Sequence, residues 1–287
     1  MKCLALDTTT DVCSIAVTDG PELLGEHNFA HKMDLSRRLM PNIVQLVKDS
    51  GLEMKGVEAI GVSLGPGSFT GLRIGVVTAK TLAQALTVPI AGVISLDLLA
   101  HQFDYLPDSV ICPLIKVRKG EVYYALFRTG RGFIERIADY EAGPISKVIQ
   151  SVGQEAPRPS LGEGWPKAGV RASGTSHPRP KRSRTSRRES GLPPAGEGAS
   201  ASGEGSPTPP EGVIFCGDAL PDNLAALRNG LGERVIPAPP WLSYPKASIL
   251  GRLAVEKIAA GESADPMALV PFYIRRSAPE MRMESPG

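Results

Sequence analysis

The stretch Ser63–Lys80, SLGPGSFTGLRIGVVTAK, runs a glycine-rich turn straight into an apolar, helix-forming segment, and its reading decides the fold. Strand, glycine turn and helix in that order is how a phosphate cradle is written, because helix N-terminal amides attract anions. The loop lacks the Gly-Lys-Ser/Thr ending of a P-loop, so no lysine reaches for a phosphate and Arg73 is the nearest cation. An anion on the amides of Gly67 to Thr70 is one reading. A plain Gly-Pro-Gly turn, with Ser68 or Thr70 capping the helix, explains the same residues.

Working outward, a strand is expected over Ala59–Leu64 and a helix from about Gly71 to Leu86. Toward the N-terminus, Lys2–Leu6 and Cys13–Val17 alternate around DTTTD, which predicts a hairpin with Asp7 at its tip. Asp7 is then either a remnant of a phosphate loop or a turn carboxylate bonding the amides of Thr8 to Thr10. Met33–Gly51 carries apolar residues at helical spacing, with Asp34 or Ser36 as N-cap and Gly51 as the stop; Pro41 kinks this helix or marks its true first turn.

Both helices carry more apolar surface than one face needs. In the second, Leu72, Val76, Ala79, Ala83 and Leu86 share a stripe, while Ile74, Val77, Thr81 and Ala85 lie roughly opposite. In the first, Leu35, Leu39, Ile43 and Leu46 form one stripe and Met40, Val44 and Val47 an adjoining one. The surplus predicts either a protein partner or a second layer from the same chain.

Beyond the connection at His101–Pro107, ICPLIKVRKGEVYYALF (Ile111–Phe127) reads as a second hairpin turning at Lys119 and Gly120. VIFCGDAL (Val213–Leu220), a short helix, a strand around Arg234–Ile236 and a helix over Lys246–Ala260 follow. Two halves that each open on a hairpin predict a duplicated α/β architecture. The expected division is a first lobe over 1–103, a second lobe over 104–150 and 213–280, and a tail over 281–287. Between them, 151–212 is rich in Pro, Gly and Ser and holds the basic run PRPKRSRTSRR, so it should be a disordered insert. It reads either as an RNA-binding arm or as a tolerated loop insertion, since no aromatic residue interleaves with the arginines to stack bases.

Composition removes several function classes. The formal charge of the 287 residues is +2, too balanced to argue for a nucleic-acid or membrane surface. The four cysteines are scattered without metal spacing, which fits buried thiols in a reducing compartment. No apolar run reaches the roughly 18 residues of a membrane span, and the N-terminus is broken by Asp7 and Asp11 before a signal sequence could form, so a cytoplasmic protein is expected. Neither H-E-x-x-H nor G-x-S-x-G occurs.

LALDTTTDVCSIAV, SLGPGSFTGLRIGVVTAKTLAQAL, KGEVYYALF and DPMALVPFYIRRS, in that order, resemble the TsaB family, also called YeaZ: the dimerisation subunits of the bacterial tRNA threonylcarbamoyladenosine complex. The resemblance covers Met1 to about Gln150 and Val213 to about Ser277. It implies an actin-like, sugar-kinase-like (ASKHA) ATPase fold of two similar lobes, and a scaffold with no catalytic residue, metal or cofactor of its own. In that family a TsaD-like paralogue transfers the threonylcarbamoyl group to the adenosine next to the anticodon, and TsaB-like chains pair with it through their N-terminal helices. A TsaE-like ATPase near the groove, ATP or ADP at the complex junction, tRNA reached through the complex, and a homodimer of the isolated chain are further implications; no membrane is involved. Helical phase then nominates Leu39, Ile43, Leu46, Ile74, Val77 and Thr81 for the interface. Asp7, Thr8, Gly67, Ser68, Thr70 and Arg73 would form a vestigial phosphate loop or nucleotide junction.

Two departures bear on activity. Where the catalytic paralogue carries paired histidines, this chain reads His31-Lys32-Met33-Asp34-Leu35, with His31 alone. Where the family usually has an acid in the second hairpin, Lys116, Val117 and Arg118 stand, and a lysine there would repel a phosphate-bound metal. The rival expectation is an enzyme in its own right, an actin-like ATPase or an M22-type peptidase-like protein. A third is an RNA-binding module built on the basic insert.

Overall fold

The computed structural model describes residues 1–31, 33–118, 120–130, 133–154 and 212–274. The basic run, the tail 281–287, Lys119, Arg275 and Arg276 lie outside the described residues. The helix that leads into the expected insert continues to Gln154, past the boundary placed at Ser151.

Alternation along the first strand explains the first lobe. In β1 (Lys2–Asp7), Leu4 and Leu6 point to one face and Cys3 and Ala5 to the other, all fully buried. β1 pairs antiparallel with β2 (Val12–Asp19), which pairs antiparallel with β3 (Glu22–Ala30). On its other edge it pairs parallel with β4 (Ala59–Ser63), and β4 with β5 (Ile90–Val93), giving the order β3-β2-β1-β4-β5. The large-residue face is covered by α1 (Leu35–Asp49) and α2 (Phe69–Leu86), whose leucines and valines join Leu4, Leu6, Ile15 and Val62 in one core. The face of small residues, Cys3, Ala5, Ala16, Ala59 and Ala91, lets α6 (Ala247–Ala259) approach closely. A Cβ on Gly61 would meet the Ala254 methyl at 2.9 Å.

The second lobe repeats this plan. β6 (Val110–Arg118), β7 (Glu121–Thr129) and β8 (Ile134–Pro144) form an antiparallel meander, and β6 pairs parallel with β9 (Val213–Cys216), which pairs with β10 (Val235–Pro237). The order β10-β9-β6-β7-β8 is the first sheet's order over again. Val213 and Phe215 face α4 (Ile145–Gln154) and α5 (Leu220–Leu231), while Ile214 and Cys216 face α3 (Ser95–Ala100). Two mixed sheets, each layered between helices, are the duplicated α/β, actin-like architecture expected.

The lobe boundaries need correction. α3, placed in the first lobe by sequence order, packs on the second sheet through Leu96, Leu99 and Ala100. α6 and residues 264–272, assigned to the second lobe, return to the first: Ala264 N donates to Ile90 O and Phe272 N to Leu64 O, while Ile274 packs on the second-lobe core. Each lobe lends a segment to the other because each sheet needs its second face covered. α1 runs without interruption through Pro41, which is exposed, and begins after Asp34. All four cysteines are free and buried. Among the described residues no helix is long and apolar enough to cross a membrane.

Candidate functional site

The glycine loop grips the hairpin tip. A Cβ on Gly67 would lie 2.2 Å from Thr9 O, one on Gly71 2.1 Å from Thr8 O, and one on Gly75 2.1 Å from Thr8 Oγ1. Backbone can come this close only where no side chain stands between. Ser68 N donates to Thr9 O at 2.7 Å, and Thr8 Oγ1 donates to Gly71 O at 2.8 Å. Ser68 is the N-cap, its Oγ accepting from Gly71 N at 3.3 Å; Thr70 is not. The turn is therefore the lead-in that seats α2 on the tip, and the Ser68 amide nominated for an anion is bonded to protein. Arg73 is a second correction: it projects roughly 160° around the helix from Gly71 and Gly75, and its guanidinium lies 3.9 Å over the Phe69 ring.

Asp7 is wholly buried and its carboxylate accepts from Thr9 N at 3.2 Å and from Thr9 Oγ1 at 2.9 Å. Burial pushes it up to about 6, against the lowering effect of bonds from Ser63 and Thr9. Its counterpart in the second lobe is Asp218, which sequence reasoning did not single out. It follows Gly217 at the end of β9, the place in the second lobe that the glycine turn after β4 holds in the first. Gly217, at φ +103°, has the same task as Gly67, since a Cβ there would lie 2.1 Å from Leu114 O. Asp218 accepts from Lys116 N at 2.9 Å, and burial pushes it, too, up to about 6. Lys116 turns its ammonium to Asp222 at 3.0 Å, a bond that raises its pKa. His31 Nε2 lies 3.1 Å from Thr10 O as its donor. Among the described residues no three His, Cys, Asp or Glu side chains come together as a metal set.

The raised Asp7 makes stability depend on pH in a definite direction. The folded state holds this proton more tightly than the unfolded chain, so the contribution is complete below pH 3.8 and is lost as pH rises through about 6. Asp7→Asn should therefore gain on wild type by roughly 3 kcal/mol between pH 3.5 and 7, on the order of 1.4 kcal/mol per pKa unit. Urea denaturation of both proteins at the two pH values checks it; a constant difference would contradict the assignment.

The outer faces of α1 and α2 form the second candidate. On α2, the stripe Leu72, Val76, Ala79 and Ala83 is buried on the sheet, leaving Val77 62% exposed with Thr81 and Ala85 exposed and Ile74 half-buried. On α1 the nominated residues need correction. Leu39, Ile43 and Leu46 are core, at 1%, 0% and 1% exposure, and the exposed apolar residues are Met40 and Val44. The longer stripe covers the sheet and takes Val47 of the shorter one with it, at 1% exposure, so only Met40 and Val44 are left outside. Residues 264–274 run along the other flank of α2, where Lys80 Nζ donates to Met267 O at 3.2 Å and Leu269 O at 3.0 Å, and expose Met267 and Val270.

With this geometry in place, sequence likeness becomes decisive. A family model described as TsaD, tRNA N6-adenosine threonylcarbamoyltransferase, matches residues 30–188. The chain is 36% identical over 161 residues to the tRNA threonylcarbamoyladenosine biosynthesis protein TsaB of Bacillus subtilis, which covers 56% of this chain and 69% of that protein. It belongs to the TsaB family. The Escherichia coli TsaB is 29% identical over 169 residues, covering 58% of this chain and 72% of its own. The TsaB fold extends over the second lobe as well: YeaZ from Pseudomonas aeruginosa superposes with a TM-score of 0.62 at 20% identity, covering 95% of this chain and 99% of its own. For a TsaB chain, the seating of GPGSFTGLRIG on DTTTD accounts for three of the motif's four glycines, Gly67, Gly71 and Gly75, while Gly65 faces Leu72 and Phe272 O.

Proposed function

We propose that this chain is a non-catalytic subunit required for forming threonylcarbamoyladenosine in tRNA, next to the anticodon, and that it pairs with a TsaD-like transferase through the outer faces of α1 and α2. The observation that carries this reading is the stripe of Val77 and Thr81, left exposed with half-buried Ile74 beside it while the opposite stripe of the same helix already covers the sheet. Supporting a scaffold rather than an enzyme, the loop after β4 bonds the hairpin tip, and Lys116 stands where the family usually has an acid, paired to Asp222. A TsaE-like ATPase would join the complex, ATP or ADP would bind at the junction, tRNA would be reached through the assembly, and the work would be done in the cytoplasm. The experiment is reconstitution: TsaD-like protein, TsaE-like protein, threonylcarbamoyl adenylate and tRNA should give modified nucleoside only when this chain is added, and this chain without the TsaD-like protein should give none. Modification at full rate without it would refute the role.

The rival ATPase reading rests on one observation, the carboxylates of Asp7 and Asp218 at corresponding turns of the two lobes, each pushed up to about 6 by burial. On the scaffold reading, the isolated chain gives no saturable heat with millimolar Mg-ATP in calorimetry and no phosphate release. Turnover abolished by Asp7→Asn would establish the rival.

A further inference from the structure

On the α6 side of the first sheet, a cavity of about 250 Å³ opens between the β2–β3 turn, the first turns of α6 and the residues that follow α3. It is remote from the DTTTD tip, because Thr18 in its wall pairs with Cys3, at the opposite end of β1 from Asp7. Among the described residues, two buried side-chain oxygens have no hydrogen-bond partner, Thr18 Oγ1 and Gln102 Oε1, and both residues line this one cavity. Thr18 is 3% exposed and Gln102 7%. Turning the Gln102 amide would not help. Its Nε2 donates to Tyr244 O at 3.2 Å and to Leu242 O at 3.4 Å, and those carbonyls would face Oε1 if the two ends were exchanged. Buried oxygens are ordinarily met by a donor, so both call for one. Charge stands beside them: Asp104 and Arg252, also in the lining and partly exposed, form an ion pair through Arg252 Nη2. That uses one nitrogen of a guanidinium that carries five N–H donors. The first amides of α6 contribute nothing, since Ala247 N donates to Ser14 Oγ and Ser248 N to Glu26 Oε1, each at 2.9 Å.

We propose that this cavity binds a small zwitterion of the α-amino-acid class, its ammonium donating to Gln102 Oε1 and Thr18 Oγ1 and its carboxylate accepting from Arg252. An ammonium brings three donors to a wall whose unmet groups are oxygens, and Asp104 balances its charge. A simple amine would face Arg252 uncompensated, and a simple acid would face Asp104 and two acceptor oxygens; a molecule with both charges matches both sides. The two oxygens lie beneath the open surface of the cavity, so the ammonium reaches them by a small shift of the wall, offset by two bonds the free chain does not make. The volume, below the roughly 300 Å³ at which sites for drug-sized ligands begin, suits one such molecule. None of this uses the α1–α2 face, so failure here leaves the proposed pairing untouched.

The test uses the full chain with L-alanine, L-serine, L-threonine, L-valine and L-leucine. At least one should raise the melting temperature by about 3–6 °C at 10 mM, the shift that a Kd of about 1 mM gives, and should show saturable heat in calorimetry. The matching amine without the carboxylate, and the matching acid without the amine, should each bind about tenfold more weakly or worse. Thr18→Val removes only a hydroxyl that has no partner, so it should melt no lower than wild type and yet weaken binding about fivefold or more. Arg252→Met should weaken it about tenfold. No stabilisation and no saturable heat from any of the five would overturn the site. Amine or acid binding as tightly as the amino acid would overturn the ligand class, and undiminished binding by both variants would place the ligand elsewhere and overturn the assignment.

Discussion

Val77→Arg is expected to abolish pairing with the TsaD-like subunit, weakening it by at least about 100-fold, while the isolated chain stays folded. Val77 is 62% exposed at the centre of the outer stripe of α2, so an arginine there meets only water in the free chain. A surface change of this kind shifts stability by roughly half a kcal/mol at most, and arginine is a better helix former than valine. In a packed helix interface the same side chain must either bury an unpaired guanidinium or hold the seam open, a cost of about 3 kcal/mol or more. Light scattering after size exclusion reads both halves: loss of the heterodimer peak, with an unchanged melting temperature for the chain alone. A companion variant sharpens it. Ile43→Arg, at 0% exposure in the core of the first lobe, should unfold that lobe instead of acting on assembly. A heterodimer that survives Val77→Arg would show that the outer stripe is not the contact.

The contrast between Val77 and Ile43 also marks how far the sequence could be read. Both lie on apolar stripes of helices with two such stripes, and periodicity alone ranks neither stripe as inner. On α2 the opposite stripes separate cleanly once the glycines at 71 and 75 are seen to face the hairpin tip, because that fixes the rotation of the helix. On α1 no such marker exists; the choice is made by contact with Cys13, Ile15 and Val17 across the sheet, which is long-range. The hairpins β1–β2 and β6–β7, β4 and both N-terminal helices were legible from alternation and helical period. The outer strands β3 and β8 were not, since edge strands with ELLGEHNFA and IERIADYEAGP are half wet and do not alternate. Nor was the crossing of α3 and α6 between lobes, because each helix looks alike to either sheet. Asp218 escaped for a related reason. It is made interesting by Asp7 and Lys116, which are near only in the folded chain, although the GDA following a strand was the one local sign.

Gly71→Ala should cost about 3 kcal/mol of stability, enough to lower the melting temperature by roughly 6–12 °C in a domain of this size. The substitution is normally favourable in a helix, by up to about 1 kcal/mol, so a loss isolates the steric term. At Gly71 the new methyl would stand 2.1 Å from Thr8 O, a backbone atom that cannot rotate away. The tip is fixed by β1 on one side and by the Ser68 N to Thr9 O bond on the other, so α2 must lift off the sheet to make room. Gly75→Ala differs in kind, since its nearest neighbour is the Thr8 hydroxyl at 2.1 Å, a side-chain atom. Thr8→Ala should therefore rescue Gly75→Ala substantially and leave Gly71→Ala unrescued, a double-mutant result that simple loss of helix propensity could not produce. Gly153→Ala is the control: it sits in α4 with nothing within 4 Å, and should be neutral or stabilise by up to about 1 kcal/mol. If Gly71→Ala melts with wild type, the close seating of α2 on the tip is wrong. If it melts low and Thr8→Ala rescues only Gly75→Ala, the helical glycines 71 and 75 of GPGSFTGLRIG are there for contact with the DTTTD turn, and the loop's likeness to a phosphate cradle reflects the shared geometry of strand, turn and helix.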